Sequence, residues 1–238
     1  MRFTGGPVKQ NGVARVKPSN PGRLPPTPEE LLLLDGVARR FTQDRARKTF
    51  EALVEAAAQS FIEHGYDATG TPDIAERAGV SVGTFYRYFD DKKQVYLEVA
   101  RRHLVTAYHE VMDRLTPERF AGKARHDTIA EAIDVMVSIM TAHPGMSRVF
   151  LEMTLRDPDV SALAKAFDDV ARQRLATLVS TIAPPGMVPD PDATAFIIHL
   201  AAVECTNYLA GVRGEPPVSP ERAKLALTAF IERALFGR

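Results

Sequence analysis

The sequence predicts an all-helical protein, and three observations carry that prediction. Its 238 residues are 45% hydrophobic, enough to bury a full core, yet no run alternates apolar and polar residues as a strand would. Apolar residues recur instead at helical spacing. Phe50, Leu53, Val54, Ala57, Ala58 and Phe61 fall at i, i+3, i+4, i+7, i+8 and i+11, a clean amphipathic stripe. Helix-opening and helix-closing residues then punctuate the periodic stretches: Thr71-Pro72, Asp190-Pro191 and Ser219-Pro220 open, while Gly65, Gly79 and Gly211 close.

Residues 1–43 stand apart as a basic extension. Up to about Pro26 they are rich in Pro and Gly with scattered Arg and Lys, a composition that cannot bury enough surface to order itself when free. Thr27-Pro28-Glu29-Glu30 then has the form of a capping box with Pro at the first helical position, so Leu31 to Arg40 is expected as a short extra helix. From about Asp44 to His64 runs the first strong helix, ended by Gly65.

The next stretch, GTPDIAERAGVSVGTFYRYFDDKK from Gly70 to Lys93, organises the chain. Thr71 is a candidate N-cap and Pro72 suits the first turn, where its missing N–H would have no partner anyway. Ile74, Ala75 and Ala78 form a short apolar face, and Gly79 stops the helix where a left-handed residue costs least. Val80 fills the turn, and Ser81 caps a second short helix containing Thr84, Phe85 and Tyr86. Two short helices joined by a tight glycine turn are a helix-turn-helix, whose second helix enters the DNA major groove. Ile74, Ala78, Val80, Phe85 and Phe89 are expected in the core of so small a unit. Tyr86, Arg87 and Tyr88 cannot all point inward on one helix, so at least two of them are expected outside.

This tract resembles the N-terminal domain of the tetracycline-repressor (TetR) family of bacterial transcription regulators. The resemblance rests on Thr71, Ile74-Ala75, Ala78-Gly79-Val80-Ser81, Gly83-Thr84, Tyr86-Arg87-Tyr88-Phe89 and Lys92, and is gapless across the motif. It implies a DNA-binding domain over 44–92 and a helical ligand-binding and dimerisation domain over 93–238, about nine helices in all besides the possible extra one. It also implies a regulator, most often a repressor, that binds a palindromic operator as a dimer and responds to a small molecule. Phosphate contacts are expected from Arg45, Lys48, Thr71, Ser81, Tyr86, Tyr88 and Lys92, and base contacts from Val82, Gly83, Thr84 and Arg87.

The charge distribution agrees. The net charge is zero, but residues 1–48 carry 10 Lys/Arg against 4 Asp/Glu, residues 49–125 carry 10 against 12, and residues 126–238 carry 10 against 14. A basic first segment and an acidic C-terminal half suit a molecule that meets DNA with one end only.

Beyond Lys92 a long helix is expected to about Leu115, where it would join the DNA-binding head to the body. Body helices follow over Ile129–Met140, Met146–Leu155, Val160–Ile182, Asp190–Ala210 and Ser219–Phe236. The last two are apolar around much of their girth and so must be buried on more than one side. Phe196, Leu200, Leu209, Leu227, Phe230 and Ile231 are the expected dimer interface, which family resemblance assigns to these helices. His103, Met136, Met140, Phe150, Met153, Phe167 and Asn207 are the candidate lining of a mostly apolar effector site; the Met and Phe residues read as core first.

Two alternatives stand beside this reading: a small-molecule sensor whose DNA head is inactive, and a helical enzyme. Against the enzyme, the sequence holds no Ser/His/Asp order, no HExxH or CxxC spacing and no phosphate-cradling Gly loop, so no metal or cofactor is expected. One cysteine, Cys205, excludes an internal disulfide framework. No apolar run approaches the roughly 20 residues of a membrane span, and no leader-like segment opens the chain, so a cytoplasmic protein is expected.

Overall fold

The computed structural model describes residues 44–122, 125–142 and 144–237. The expected extra helix at Leu31–Arg40 and the rest of the 1–43 extension lie outside the described residues. Within them the protein is helical, with no strand. The elements are α1 (Asp44–Ala68), α2 (Thr71–Arg77), α3 (Val82–Phe85), α4 (Lys92–Met112), α5 (Pro117–Gly122), α6 (Arg125–Ala142), α7 (Pro144–Arg156), α8 (Pro158–Ile182), α9 (Pro191–Leu209) and α10 (Pro220–Phe236). The short α5 is one that the sequence reading passed over; it lies between Thr116-Pro117 and the start of α6.

Helix starts follow the local chemistry closely. Asp91, Asp157, Asp190 and Ser219 each lend a side-chain oxygen to a backbone N–H of the first turn of α4, α8, α9 and α10. Pro158, Pro191 and Pro220 occupy first-turn positions, where a missing N–H costs nothing. At Gly65 the backbone turns to φ 80°, a left-handed value that breaks α1, and a further turn carries it to Ala68. The buried Thr69 hydroxyl closes this kink by donating to the carbonyls of Gly65 at 2.7 Å and Ser60 at 3.1 Å.

The apolar interior divides into three clusters. The first joins Phe50, Leu53, Ala57 and Phe61 of α1 with Ile74 and Ala75 of α2, Phe85 of α3, and Val95, Tyr96 and Val99 of α4. It does not end with the head: Met146, Val149 and Met153 of α7 and Val160 of α8 complete it. The second, at the far end, packs Ile129 and Ile133 of α6 against Leu178 and Val179 of α8, Ile198 of α9, and Leu227, Ile231 and Leu235 of α10. A small third cluster sets Tyr108 and Met112 of α4 against Phe167, Val170 and Ala171 of α8.

The junction between head and body is therefore close-packed. Where α7 crosses α1, a Cβ at Gly145 would stand 2.8 Å from the Ile62 carbonyl oxygen. Ion pairs also join the head to the body. Arg156 Nη1 lies 2.8 Å from Asp67, and Lys93 Nζ lies 2.6 Å from Asp159 and 3.5 Å from Asp157. Hydrogen bonding by the Arg156 guanidinium holds the Asp67 carboxyl below its ordinary range.

Candidate nucleic-acid interface

The helix-turn-helix forms as the sequence predicts, with one shift at its start. Gly70, not Thr71, is the N-cap of α2, and the Asp73 carboxylate at the third position accepts the Gly70 N–H at 2.8 Å. An extended N-cap needs no side chain when the acid three residues on reaches back, so Thr71 moves into the helix. Its hydroxyl is then free to pair with the Tyr86 hydroxyl at 3.1 Å, tying the start of α2 to the end of α3. Gly79 makes the turn at φ 69°, and Val80 N–H donates to Ala75 O at 2.9 Å. Ser81 caps α3 as expected: its Oγ accepts from Thr84 N–H at 3.2 Å and lies 3.0 Å from the Thr84 hydroxyl.

Aromatic packing aims this short helix. Phe85 and Phe89 are buried, and the Phe89 ring stacks on Phe50 of α1 at 5.2 Å. With that side held, Val82, Gly83, Tyr86 and Arg87 are exposed, Thr84 is half-buried, and Tyr88 is half-buried with its ring 6.5 Å from Phe50. Two of the three residues Tyr86, Arg87 and Tyr88 thus stand outside. Among the described residues the Arg87 guanidinium has no hydrogen bond or ion pair, in contrast to Arg77, which is bound to Glu63 at 2.8 Å. That pairing holds the Glu63 carboxyl below its ordinary range. Arg45 and Lys48 are exposed in the opening turns of α1.

Lys92, an expected phosphate contact, has a partner within the chain: its Nζ donates to the Tyr66 carbonyl at 2.7 Å and sits 4.3 Å from the centre of the Tyr66 ring. At the N-terminus of α4, Asp91 accepts from Gln94 N–H at 2.8 Å. The Gly65 kink presents the Tyr66 carbonyl outside the helical ladder, and an unpaired acceptor beside an aromatic face is a better local partner for an ammonium than a helix start.

The chain matches the family model "Bacterial regulatory proteins, tetR family" over residues 53–99, which span this interface. It matches "Tetracyclin repressor-like, C-terminal domain" over residues 126–230. It belongs to the TetR family. That family is one of bacterial regulatory proteins. Among curated relatives it is 28% identical over 131 residues to the helix-turn-helix transcriptional activator FasR of Mycolicibacterium smegmatis, covering 54% of this chain and 57% of that protein. The repressor AcnR of Corynebacterium diphtheriae is 24% identical over 143 residues, 56% of this chain and 75% of its own length. The chain therefore spans little more than half the length of FasR. Among solved structures, SmeT, the repressor of the Stenotrophomonas maltophilia multidrug efflux pump SmeDEF, superposes with a TM-score of 0.59 at 20% identity. That superposition covers 79% of this chain and 91% of SmeT.

The body holds the other sequence candidates. Phe150 and Met153 pack with the first cluster and Phe167 with the third, its ring 5.9 Å from Tyr108. Met136, Met140 and His103 are half-buried and Asn207 is buried. These seven lie on α4, α6, α7, α8 and α9. On the outer helices, Phe196 and Leu200 of α9 and Phe230 of α10 are exposed, together with Ile197, Tyr208 and Leu225. Leu209 is half-buried. Leu227 and Ile231 were expected at the same interface but are 7% and 6% exposed, packed inside the protomer against α6 and α8. α10 carries apolar residues on more than one side, so helical pattern alone could not say which of them face inward. Among the described residues no group of His, Cys, Asp and Glu could hold a metal ion, and no helix is long and apolar enough to cross a membrane.

The sequence reading missed the head–body contacts. Gly145 lies in the first turn of α7, against α1. A glycine inside a helix costs stability against alanine, so its presence there was a usable sign of close backbone approach.

Proposed function

We propose that this regulator is a homodimeric repressor that binds a palindromic operator and is released by a small apolar or amphipathic effector. The observation that carries the reading is the outward set Val82, Gly83, Tyr86 and Arg87, held by the buried Phe85 and Phe89. In the groove the N-terminal residues of α3 meet base edges, and the free guanidinium of Arg87 suits the paired acceptors of guanine. The Thr71–Tyr86 hydroxyl pair, Ser81, Arg45 and Lys48 face the phosphates and set the register.

A dimer follows from two arguments. One head spans too few base pairs for a unique site, while two heads one helical turn apart read a palindrome. The six exposed large apolar side chains on α9 and α10 give that dimer its contact. The effector would enter among the body helices and, through α4 and α7, change the set of the heads.

Selection of bound sequences from random duplex DNA, with full-length protein and no added ligand, tests the reading. Enrichment of a palindromic motif is the expected result. No enrichment at low salt would overturn it in favour of a sensor with an inactive head.

A further inference from the structure

The first residue of α3 is an exposed valine at the place where a recognition helix comes nearest the bases. Val82 is 38% exposed, and its one hydrogen-bonding commitment is through the backbone, where its carbonyl accepts from Tyr86 N–H at 3.2 Å. The polar groups around it are already engaged. The Ser81 hydroxyl caps the helix and pairs with that of Thr84, and the Tyr86 hydroxyl pairs with Thr71. The neighbouring Gly83 leaves bare space: a Cβ there would meet nothing nearer than Ser81 Oγ at 3.9 Å. The start of α3 can therefore approach base edges closely, and what it presents to them is an isopropyl group.

An isopropyl group can neither donate nor accept a hydrogen bond. Against the N4 donor of cytosine or the N7 and O6 acceptors of guanine it would displace water and offer nothing in return. The major groove has one apolar feature, the C5-methyl of thymine. We propose that Val82 selects thymine in each operator half-site by packing against that methyl. This inference rests on the reading of α3 as the recognition helix. It adds a specificity that hydrogen-bond counting on Arg87 would miss.

The test removes the methyl and nothing else. Each thymine of the selected operator is replaced in turn by deoxyuridine, and affinity is measured at one fixed salt concentration for full-length protein and for Val82→Ala. One thymine per half-site should respond in the parent protein, with a loss of about fourfold for one half-site and about fifteenfold when both are changed, the size expected for burying one methyl-sized group. Val82→Ala should bind the thymine operator more weakly, should be indifferent to deoxyuridine at that position, and should melt within a degree or two of the parent, because the side chain is exposed. A deoxyuridine penalty that persists in Val82→Ala assigns the methyl to another residue and overturns the proposal. So does a selected operator at which no thymine responds, and in that case the DNA-reading function still stands. Only the absence of any selected motif would take down both.

Discussion

Replacing Gly145 with alanine should destabilise this protein, although the same change in most helices would stabilise it. Gly145 has ordinary helical geometry in α7, so alanine suits its backbone and would contribute about 0.5–1 kcal/mol of helix propensity. Its new methyl, however, would stand 2.8 Å from the Ile62 carbonyl oxygen and 3.6 Å from the carbonyl carbon and Cα. All three are backbone atoms of α1 and cannot rotate away, so α7 must shift bodily from a packed face. Overpacking of that kind costs about 1–3 kcal/mol, which exceeds the propensity gain. A net loss of about 1 kcal/mol should lower Tm by about 2–4 °C in a chain of this size. Differential scanning calorimetry of parent and G145A reads the shift directly. Gly83→Ala is the control, since a Cβ there meets only Ser81 Oγ at 3.9 Å and should leave Tm where it is or raise it. A G145A protein as stable as the parent, or more so, would refute the claim that this crossing is held by glycine-permitted backbone contact.

Other expectations follow from the same geometry. Arg87→Ala should weaken binding to the selected operator by about 1–3 kcal/mol while leaving non-specific binding nearly unchanged; competition assays on operator and scrambled duplexes would show equal losses if Arg87 is a phosphate contact instead. Phe196→Asp combined with Phe230→Asp, both at exposed positions, should convert dimer to monomer in sedimentation experiments without unfolding the chain; an intact dimer would place the interface elsewhere. Asp67→Asn tests the ion pair at the α1–α7 crossing. Because Arg156 lowers the carboxyl's pKa in the folded state, Asp67 adds stability at neutral pH that disappears as the pH falls through that lowered value. The Tm gap between parent and D67N should be small, as for any exposed pair, and should close in acid and at high salt; a gap independent of both would assign the effect to packing.

What the sequence disclosed, and what it withheld, follows from range. The caps at Ser81, Asp190 and Ser219, the Gly79 turn and the stripe on α1 are local matters, settled within four residues, and they were legible. So was the outward set on α3, because a helix so short has few ways to bury Phe85 and Phe89 together. The contact of Lys92 with the Tyr66 carbonyl was not legible, because that partner lies 26 residues away behind a kink that only Gly65 hinted at. That Leu227 and Ile231 pack inside the protomer was not legible, because α10 has apolar residues on more than one side and nothing local says which of them meet its own chain. The candidate effector-lining residues were drawn from types that serve walls and cores alike, and Phe150, Met153 and Phe167 pack into the first and third clusters.

The first apolar cluster has an engineering consequence. The DNA-reading helices share one hydrophobic interior with Met146, Val149, Met153 and Val160, residues that lie far along the chain. A reader cut out after α4 would leave that apolar surface without its cover and would tend to aggregate rather than work as a detachable part. Anyone building chimaeric regulators from this protein would do better to graft new specificity onto the few outward residues of α3. Where a larger exchange is needed, the cut has to carry α7 and the start of α8 along with the head, because what the genetic map shows as two consecutive pieces is, in its interior, already interleaved.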